Sequence, residues 1–294
     1  METSDFPYHG IIEYIPYKSY ADFFKAVISQ DFSKEGNLFR GQCNPTWRLV
    51  PTAARDIAID AKDYIRNYKR KLDEILSTFK NRLSGYHQFH LNEMDENEIW
   101  QLGRHHGLKT PLLDWTFSPF IAAFFAYSDY FEKSIPGKDE INNVIVYQLK
   151  NQFSNGNTFT NCDLLTKAAF EYFKIEADTE CKELILIREI HHSNPRQISQ
   201  CGIFTKLDSI DEIDLIYYLN NKRDVIQKDF KPISAHLLPT RDSEMAIVAL
   251  DKMNINYSTL YPDIEGVVRY ANMKGKVEDN AYFKGLLKAF VDRQ

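Results

Sequence analysis

The sequence predicts an α+β fold. Three observations carry that reading. Apolar residues recur at helical spacing in several segments, short apolar runs read as strands, and the two kinds of segment follow one another without regular alternation. Regular alternation would have pointed to a doubly wound parallel sheet. The chain has 294 residues, 44% of them hydrophobic, which suffices for one large core or two packed ones. With 14% aromatic and 26% charged residues it is not collagen-like, low-complexity or broadly disordered.

The first helix falls within residues 11–30. Tyr20, Phe23, Phe24, Val27 and Ile28 are spaced for it, and Ser19 suits its N-cap. Asn37-Leu38-Phe39-Arg40-Gly41 reads as a short strand ending at glycine. A long helix covers 62–82, where Ile65, Tyr68, Leu72, Ile75, Leu76 and Phe79 form one apolar face. Leu112-Leu113-Asp114-Trp115-Thr116 reads as a buried strand. Ser118 then caps a helix with Pro119 at its first position, and this helix is apolar nearly all round.

Further on, 144–149 is a strand. Residues 183–190 form another, whose continuous apolar run suggests a central position. A short strand follows Gly202, and 213–219 fits strand or helix. Residues 222–228 and 234–250 read as mainly helical, with the start of the second uncertain around Pro239. A last helix, over 260–273, starts through Tyr261-Pro262-Asp263.

Charge and cysteine usage narrow the function. The net charge of −5 argues against a globally basic nucleic-acid coat protein. A local patch exists nonetheless. On the long helix Lys62, Arg66, Lys69, Arg70, Lys71, Lys80 and Arg82 face Asp63, Asp73 and Glu74, an excess of four positive charges. It reads either as a solvated face or as a surface that meets phosphates. Cys43, Cys162, Cys181 and Cys201 form no CxxC pair, so neither structural zinc nor a disulfide framework is expected, and no metal site is expected elsewhere. The adjacent pairs His105-His106 and His191-His192 are poorly spaced to share one metal. No apolar run reaches membrane-spanning length and the first residues lack a signal-peptide pattern. The expectation is a cytoplasmic protein without membrane contact. GxGxxG, Walker, HExxH and GxSxG motifs are missing.

Five clusters stand out in order. They are Phe39-Arg40-Gly41-Gln42; Trp47-Arg48-Leu49 with Pro51 and Arg55; His105-His106-Gly107-Leu108-Lys109-Thr110 running into the Leu112–Thr116 strand; residues 194–204 around Gln200 and Gly202; and Leu260-Tyr261-Pro262-Asp263. Together they resemble the FRG domain family, with Phe39-Arg40-Gly41 as the triplet and a motif core over about 38–270 of a single domain, 1–294, with helical flanks. Arg104 stands where the family usually has glutamine, and Pro111 where it usually has arginine.

The resemblance implies a mixed or antiparallel central sheet of ADP-ribosyltransferase-like type with peripheral helices. It also implies NAD as a substrate and nucleic acid, RNA foremost, as acceptor. The setting it implies is a toxin–antitoxin or antiphage module with a neutralising protein. By the same resemblance Arg40, Thr116 and Gln200 are the candidate catalytic residues. Arg40, Gly41, Gln42, His105, Asp114, Trp115 and Ser118 are the candidate cofactor contacts, and Lys62, Arg66, Lys69 and Arg70 the nucleic-acid patch. A guanidinium suits phosphate, and a carboxylate suits the oxocarbenium-like cation of nicotinamide release. Gln200 occupies the slot where the transferases carry glutamate, which leaves Glu189 and Glu265 as alternatives. Trp115, Phe117 and Tyr147 are candidate stacking walls.

Each of these residues also has a framework reading. In it Arg40 ties strands together through backbone carbonyls, Asp114 pairs with Arg40 or Arg55, and Gly107, Thr110 and Gly202 shape turns. A non-catalytic nucleotide- or nucleic-acid-binding module is therefore the alternative function.

Overall fold

The computed structural model of the protein describes residues 8, 12–29, 32, 37–57, 63–86, 94–132, 140–150, 184–187, 195–207, 212–221, 231 and 233–278. Seven strands form one sheet: β1 (Glu13–Pro16), β2 (Leu38–Gln42), β3 (Leu112–Thr116), β4 (Asn143–Leu149), β5 (Leu184–Ile187), β6 (Gly202–Leu207) and β7 (Ile233–Pro239). Their order is β1-β7-β4-β2-β3-β6-β5. The β1–β7 pair is parallel and the other pairs are antiparallel, so the sheet is mixed. The helices are α1 (Tyr20–Ile28), α2 (Tyr64–Leu83), α3 (Glu96–His105), α4 (Pro119–Glu132), α5 (Pro195–Ser199), α6 (Leu215–Asn221), α7 (Ser243–Lys252), α8 (Tyr257–Leu260) and α9 (Ile264–Glu278).

Alternation along the central strands feeds two cores. On β4, Ile145, Tyr147 and Leu149 join one apolar cluster while Val144 and Val146 join the other. On β2, Leu38 goes to the first and Phe39 to the second. Both faces of the sheet are thus covered. All seven residues of β7 are buried, the polar Ser234 and His236 included.

Two sequence expectations are corrected here. Residues 234–250 are not mainly helical. Ile233–Pro239 is an interior strand and the helix begins only at Ser243. The alternation Ile233-Ser234-Ala235-His236-Leu237 is the period-2 pattern of a strand, and the strand ends at Pro239, around which the sequence leaves the helix start open. The strand at 183–190 spans Leu184–Ile187 and pairs only with β6 among the described residues, at the end of the sheet. An apolar run reports on a strand's faces, not on its edges. Residues 213–219, left open between strand and helix, are largely α6. Residues 222–228 lie outside the described residues. β1 was not expected from the sequence.

The helix caps follow the sequence. The Ser19 hydroxyl accepts from the Asp22 N–H, and the Ser118 hydroxyl accepts from the Ile121 N–H at 3.3 Å. Asp95 and Glu98 form a reciprocal capping box at the start of α3. At its other end the chain turns through Gly107, whose φ of 83° is a conformation glycine adopts without a Cβ penalty. That stop fixes His105 at the helix end.

The apolar α4 is buried against β2, as its all-round composition requires. The approach is close at Gly41, where an added Cβ would lie 1.9 Å from the Ala122 carbonyl oxygen and 2.8 Å from the Ala126 nitrogen. Gly41→Ala must push helix and strand apart, at an expected cost of about 1–3 kcal/mol. A denaturant midpoint equal to that of the wild type would show that the two elements have slack.

His236 lies inside the sheet, 2% exposed, with Nε2 3.0 Å from Gln148 Oε1 and Nδ1 3.2 Å from the Tyr17 hydroxyl. Burial, with Lys150 adding repulsion, pulls its pKa from 6.5 down to about 3. The folded ring stays neutral where the unfolded chain takes up a proton, so stability falls as pH drops from 6.5 toward 3. By pH 5 this group alone costs about 2 kcal/mol relative to pH 8. His236→Gln removes the titrating ring, and its stability should fall by that much less between pH 8 and pH 5 in denaturant titrations. Identical pH slopes would show that the ring ionises in the native state.

Candidate functional site: an arginine-lined cleft beside β2 and β3

The cleft arises where β2 and β3 part. β2 pairs with β4 along five residues, but its register with β3 is the single pair Phe39–Thr116. Past that pair a side chain takes over from the ladder. Arg40 Nη1 donates to the Asp114 backbone carbonyl at 2.8 Å and lies 3.4 Å from the same residue's carboxylate. The framework reading of Arg40 is therefore correct as far as it goes, but the guanidinium also borders a cavity.

That cavity has two lobes. The smaller, about 330 Å³, is bordered by Arg40, Gly41, Arg55, Asp114, Thr116 and Asp129, among others. The larger, about 530 Å³, is bordered by His105, His106, Arg196, Gln197, Phe204 and Glu265, among others. Arg104, Asp114, Trp115, Gln200, Tyr261 and Arg269 border both, so the lobes share a wall. Each volume lies in the range of small-molecule sites, about 300–1,000 Å³.

Asp114 organises the floor. Arg104 grips its carboxylate at both oxygens, Nε to Oδ1 at 3.0 Å and Nη2 to Oδ2 at 2.6 Å. Burial pushes the Asp114 carboxyl up. The Arg104 guanidinium, with its hydrogen bonds, and then Arg40 outweigh that and hold it well below the usual carboxylate range. Burial, with Arg55 and Arg104 adding repulsion, lowers Arg40 to about 10 despite Asp114, which leaves it cationic at neutral pH. Arg40 Nε is buried without a hydrogen-bond partner.

The walls come from elsewhere in the chain. Arg196 of α5 donates through Nε to Asp263 at 2.7 Å, through Nη2 to Glu265 at 2.8 Å and through Nη1 to the His105 carbonyl at 3.3 Å. It thereby ties the end of α3 to the start of α9. Arg269 of α9 lies 4.0 Å above the Tyr257 ring and donates to Glu132 and the Tyr257 hydroxyl. A 3-10 turn, Thr52–Ala54, is held to the start of β3 by bonds that Thr52 and Ala53 exchange with Thr110, and Arg55 follows it. Burial and then the nearby Arg196 guanidinium depress the pKa of His105, which favours the neutral ring.

The residues singled out from sequence separate into groups. Arg40, Gly41, Asp114, Trp115, Thr116 and Gln200 border the small lobe, and His105 with Gln200 the large one. Gln42 and Ser118 border neither. The hydroxyl of Thr116 donates to the Gln200 carbonyl at 2.7 Å and accepts from the Ser118 N–H at 3.1 Å, and the Gln200 amide donates to the Leu260 carbonyl at 3.0 Å. Trp115 is 3% exposed and its indole donates to Thr205. Phe117 and Tyr147 do not border the cleft: alternation sends Tyr147 into the core with Ile145 and Leu149, and Phe117 packs against the same cluster. They are not stacking walls.

Glu265 reaches the large lobe but is engaged by Arg196, and Glu189 lies outside the described residues. Lys62 also lies outside them. Arg66, Lys69 and Arg70 sit on α2, which packs through Leu72, Ile75 and Leu76 behind Phe204 and borders neither lobe; Arg70 and Lys71 are paired with Glu74 and Asp56.

The sequence reading overlooked Arg104, Arg196 and Arg269 as cleft residues and assigned Arg55 no contact with a ligand. Arg104 carried a signal as a charged residue in place of glutamine, and Arg55 and Arg196 lay inside the motif clusters without a role assigned at the cleft; Arg269 carried none. Among the described residues no helix is long and apolar enough to cross a membrane, and no group of three His, Cys, Asp or Glu is placed to hold a metal ion.

Because Arg104 and Arg40 share one carboxylate, Asp114→Asn strands two cations. Its carboxylate is 40% exposed to the cleft, so the expected loss lies between that of a dry and a wet pair, about 2 kcal/mol. Arg104→Met breaks the same network, and the double variant should lose clearly less than the sum of the single losses. Additive losses in urea titrations would mean that the groups act independently.

Comparisons with curated proteins and with solved structures returned no significant match. One family model does match. It covers the stretch that holds β2, the Arg55 turn, α2, α3, β3 and α4: residues 35–134 match the FRG domain.

Proposed function

We propose that the cleft binds a phosphate-bearing nucleotide, with NAD as the ligand the family resemblance suggests. The observation that carries the reading is the convergence of Arg40, Arg55, Arg104, Arg196 and Arg269 on one cleft against three carboxylates, Asp114, Asp129 and Glu265, in a protein of net charge −5. Guanidinium groups match phosphate oxygens in bidentate geometry and stay charged at neutral pH. The mechanism of binding is electrostatic. Asp114 orients Arg104 and Arg40, Arg196 ties α3 to α9 at the large lobe, and a bound phosphate offsets the repulsion among the cations.

ADP-ribosyl transfer to a nucleic acid, RNA foremost, is the second reading, and with it a role as a toxin or defence effector. What favours it is that Arg40, Thr116 and Gln200, far apart in sequence, border the same lobe. In that reaction the bond between C1′ of the ribose and the nicotinamide nitrogen breaks, and its electron pair leaves with nicotinamide. An acceptor atom bonds to C1′ and loses its proton to solvent. What counts against it is that the Thr116 hydroxyl and Gln200 amide are both spent on backbone groups and that Glu265 is held by Arg196.

Calorimetry with NAD and ADP-ribose, alongside an assay of nicotinamide release with and without RNA, tests both. Binding without release supports the binding module. Release with label transferred to RNA supports the transferase. If neither NAD nor ADP-ribose binds, both readings are wrong.

A further inference from the structure

The two lobes are not equivalent in charge. Arg40, Arg55, Arg104 and Arg269 border the small lobe with two carboxylates, Asp114 and Asp129. Arg104, Arg196 and Arg269 border the large lobe with Asp114 and Glu265. The smaller space thus holds the greater positive excess among arginines and carboxylates, two charges against one.

Nor are the arginines equally engaged. Arg104 is committed to Asp114, Arg196 to Asp263 and Glu265, and Arg269 to Glu132 and the Tyr257 ring. Arg55 makes no side-chain hydrogen bond or ion pair with a described residue. Asp129 and Asp114 act on it only through space, while burial and Arg104 depress its pKa. Arg40 has one buried donor, Nε, without a partner. Unused donors and a net positive charge therefore meet in one lobe. A buried donor left unpaired costs free energy, and an anion supplies what is missing.

The large lobe differs. It has the greater volume, about 530 Å³, with Phe204, Tyr261 and the depressed His105 among its walls. An uncharged ring with polar edges suits it better than a phosphate does.

We propose that the small lobe is the phosphate half of the cleft, gripped by Arg55 and floored by Arg40, and that the large lobe takes the uncharged nucleoside part of the ligand. This assignment rests on the nucleotide-binding reading above. The excess of two charges fits a dianionic group, such as a diphosphate diester. Arg55 is the residue on which affinity for that group depends, because its guanidinium is committed to nothing else described.

The test uses the full chain, inorganic pyrophosphate, ADP-ribose and adenosine. Pyrophosphate should bind the wild type in calorimetry, compete with ADP-ribose and stay bound in millimolar adenosine. Arg55→Gln should weaken pyrophosphate about tenfold or more, and Arg55→Lys should weaken it less, because it keeps the charge but loses the bidentate fork. Part of the Arg55 side chain is exposed even though its guanidinium is partly desolvated, and it lies outside the described bonding network, so both variants should melt close to the wild type, which separates lost binding from lost folding.

If Arg55→Gln keeps pyrophosphate affinity within twofold, or if adenosine displaces pyrophosphate, the assignment of the lobes is overturned. Should ADP-ribose still bind in that case, the nucleotide reading survives without it. Pyrophosphate bound through Arg55 with no nucleotide binding would sink the nucleotide reading and keep the anion site. No binding of either would sink both.

Discussion

One carboxylate holds the cleft together. Asp114 sits on β3, Arg104 ten residues earlier on α3, and Arg40 on β2; the Arg40 guanidinium also caps Asp114's own carbonyl. Three elements are thereby pinned at one point. Without the shared carboxylate the floor would be two like charges in a partly desolvated place, and each would repel the other and Arg55. With it, the floor is a fixed array of donors whose orientation is set before any ligand arrives. That preorganisation is what lets a polar cleft bind without a large reordering cost.

The same point has a backbone origin. A strand pair that stayed zipped would satisfy the Asp114 carbonyl from β2 and leave no room for a ligand. Here the pairing is confined to Phe39 and Thr116, and α4 presses on β2 at Gly41 from the other core. Helix packing on one side of β2 and strand separation on the other place Arg40 beside a hollow. The glycine of the Phe39-Arg40-Gly41 triplet acts through packing against Ala122 and Ala126, while the arginine acts at the cleft. Neighbours in the sequence serve separate ends because successive residues of a strand face opposite ways.

Local order was legible in the sequence. The caps at Ser19 and Ser118, the Leu112–Thr116 strand, the 64–83 helix and the mixture of strands and helices all follow from spacing and capping chemistry. Residues 233–239 were misread as helix although Ile233-Ser234-Ala235-His236-Leu237 carries the period-2 alternation of a strand, because the segment runs on into the helix that begins at Ser243. In the site, Arg40 and Asp114 could be marked from the motif. Arg196 lay in the 194–204 motif stretch but its reach to the cleft was not marked, and nothing in the local sequence of Arg269 distinguishes a surface cation from one that spans from α9 to the cleft. Stacking by Tyr147 failed for a related reason: its residue type suits a wall, but its register turns it into the core.

The match to the FRG domain ends at residue 134, and the cleft does not. Arg40, Arg55, Arg104 and Asp114 lie inside the matched stretch, and together they supply three of the small lobe's four arginines and the carboxylate that orients two of them. Arg196, Gln197, Gln200, Tyr261, Glu265 and Arg269 lie beyond it and supply much of the large lobe. Most of the small lobe's charge therefore lies within the matched stretch, while α5, β6 and α9 complete the larger lobe beside the end of α3 and β3. A ligand anchored by phosphate in the first would be selected by its other end in the second, since the Coulombic term is nearly blind to what the phosphate is attached to. The strut from Arg196 to Asp263, Glu265 and the His105 carbonyl is then where that selection is framed, because it fixes the spacing between the end of α3 and the start of α9 across the large lobe.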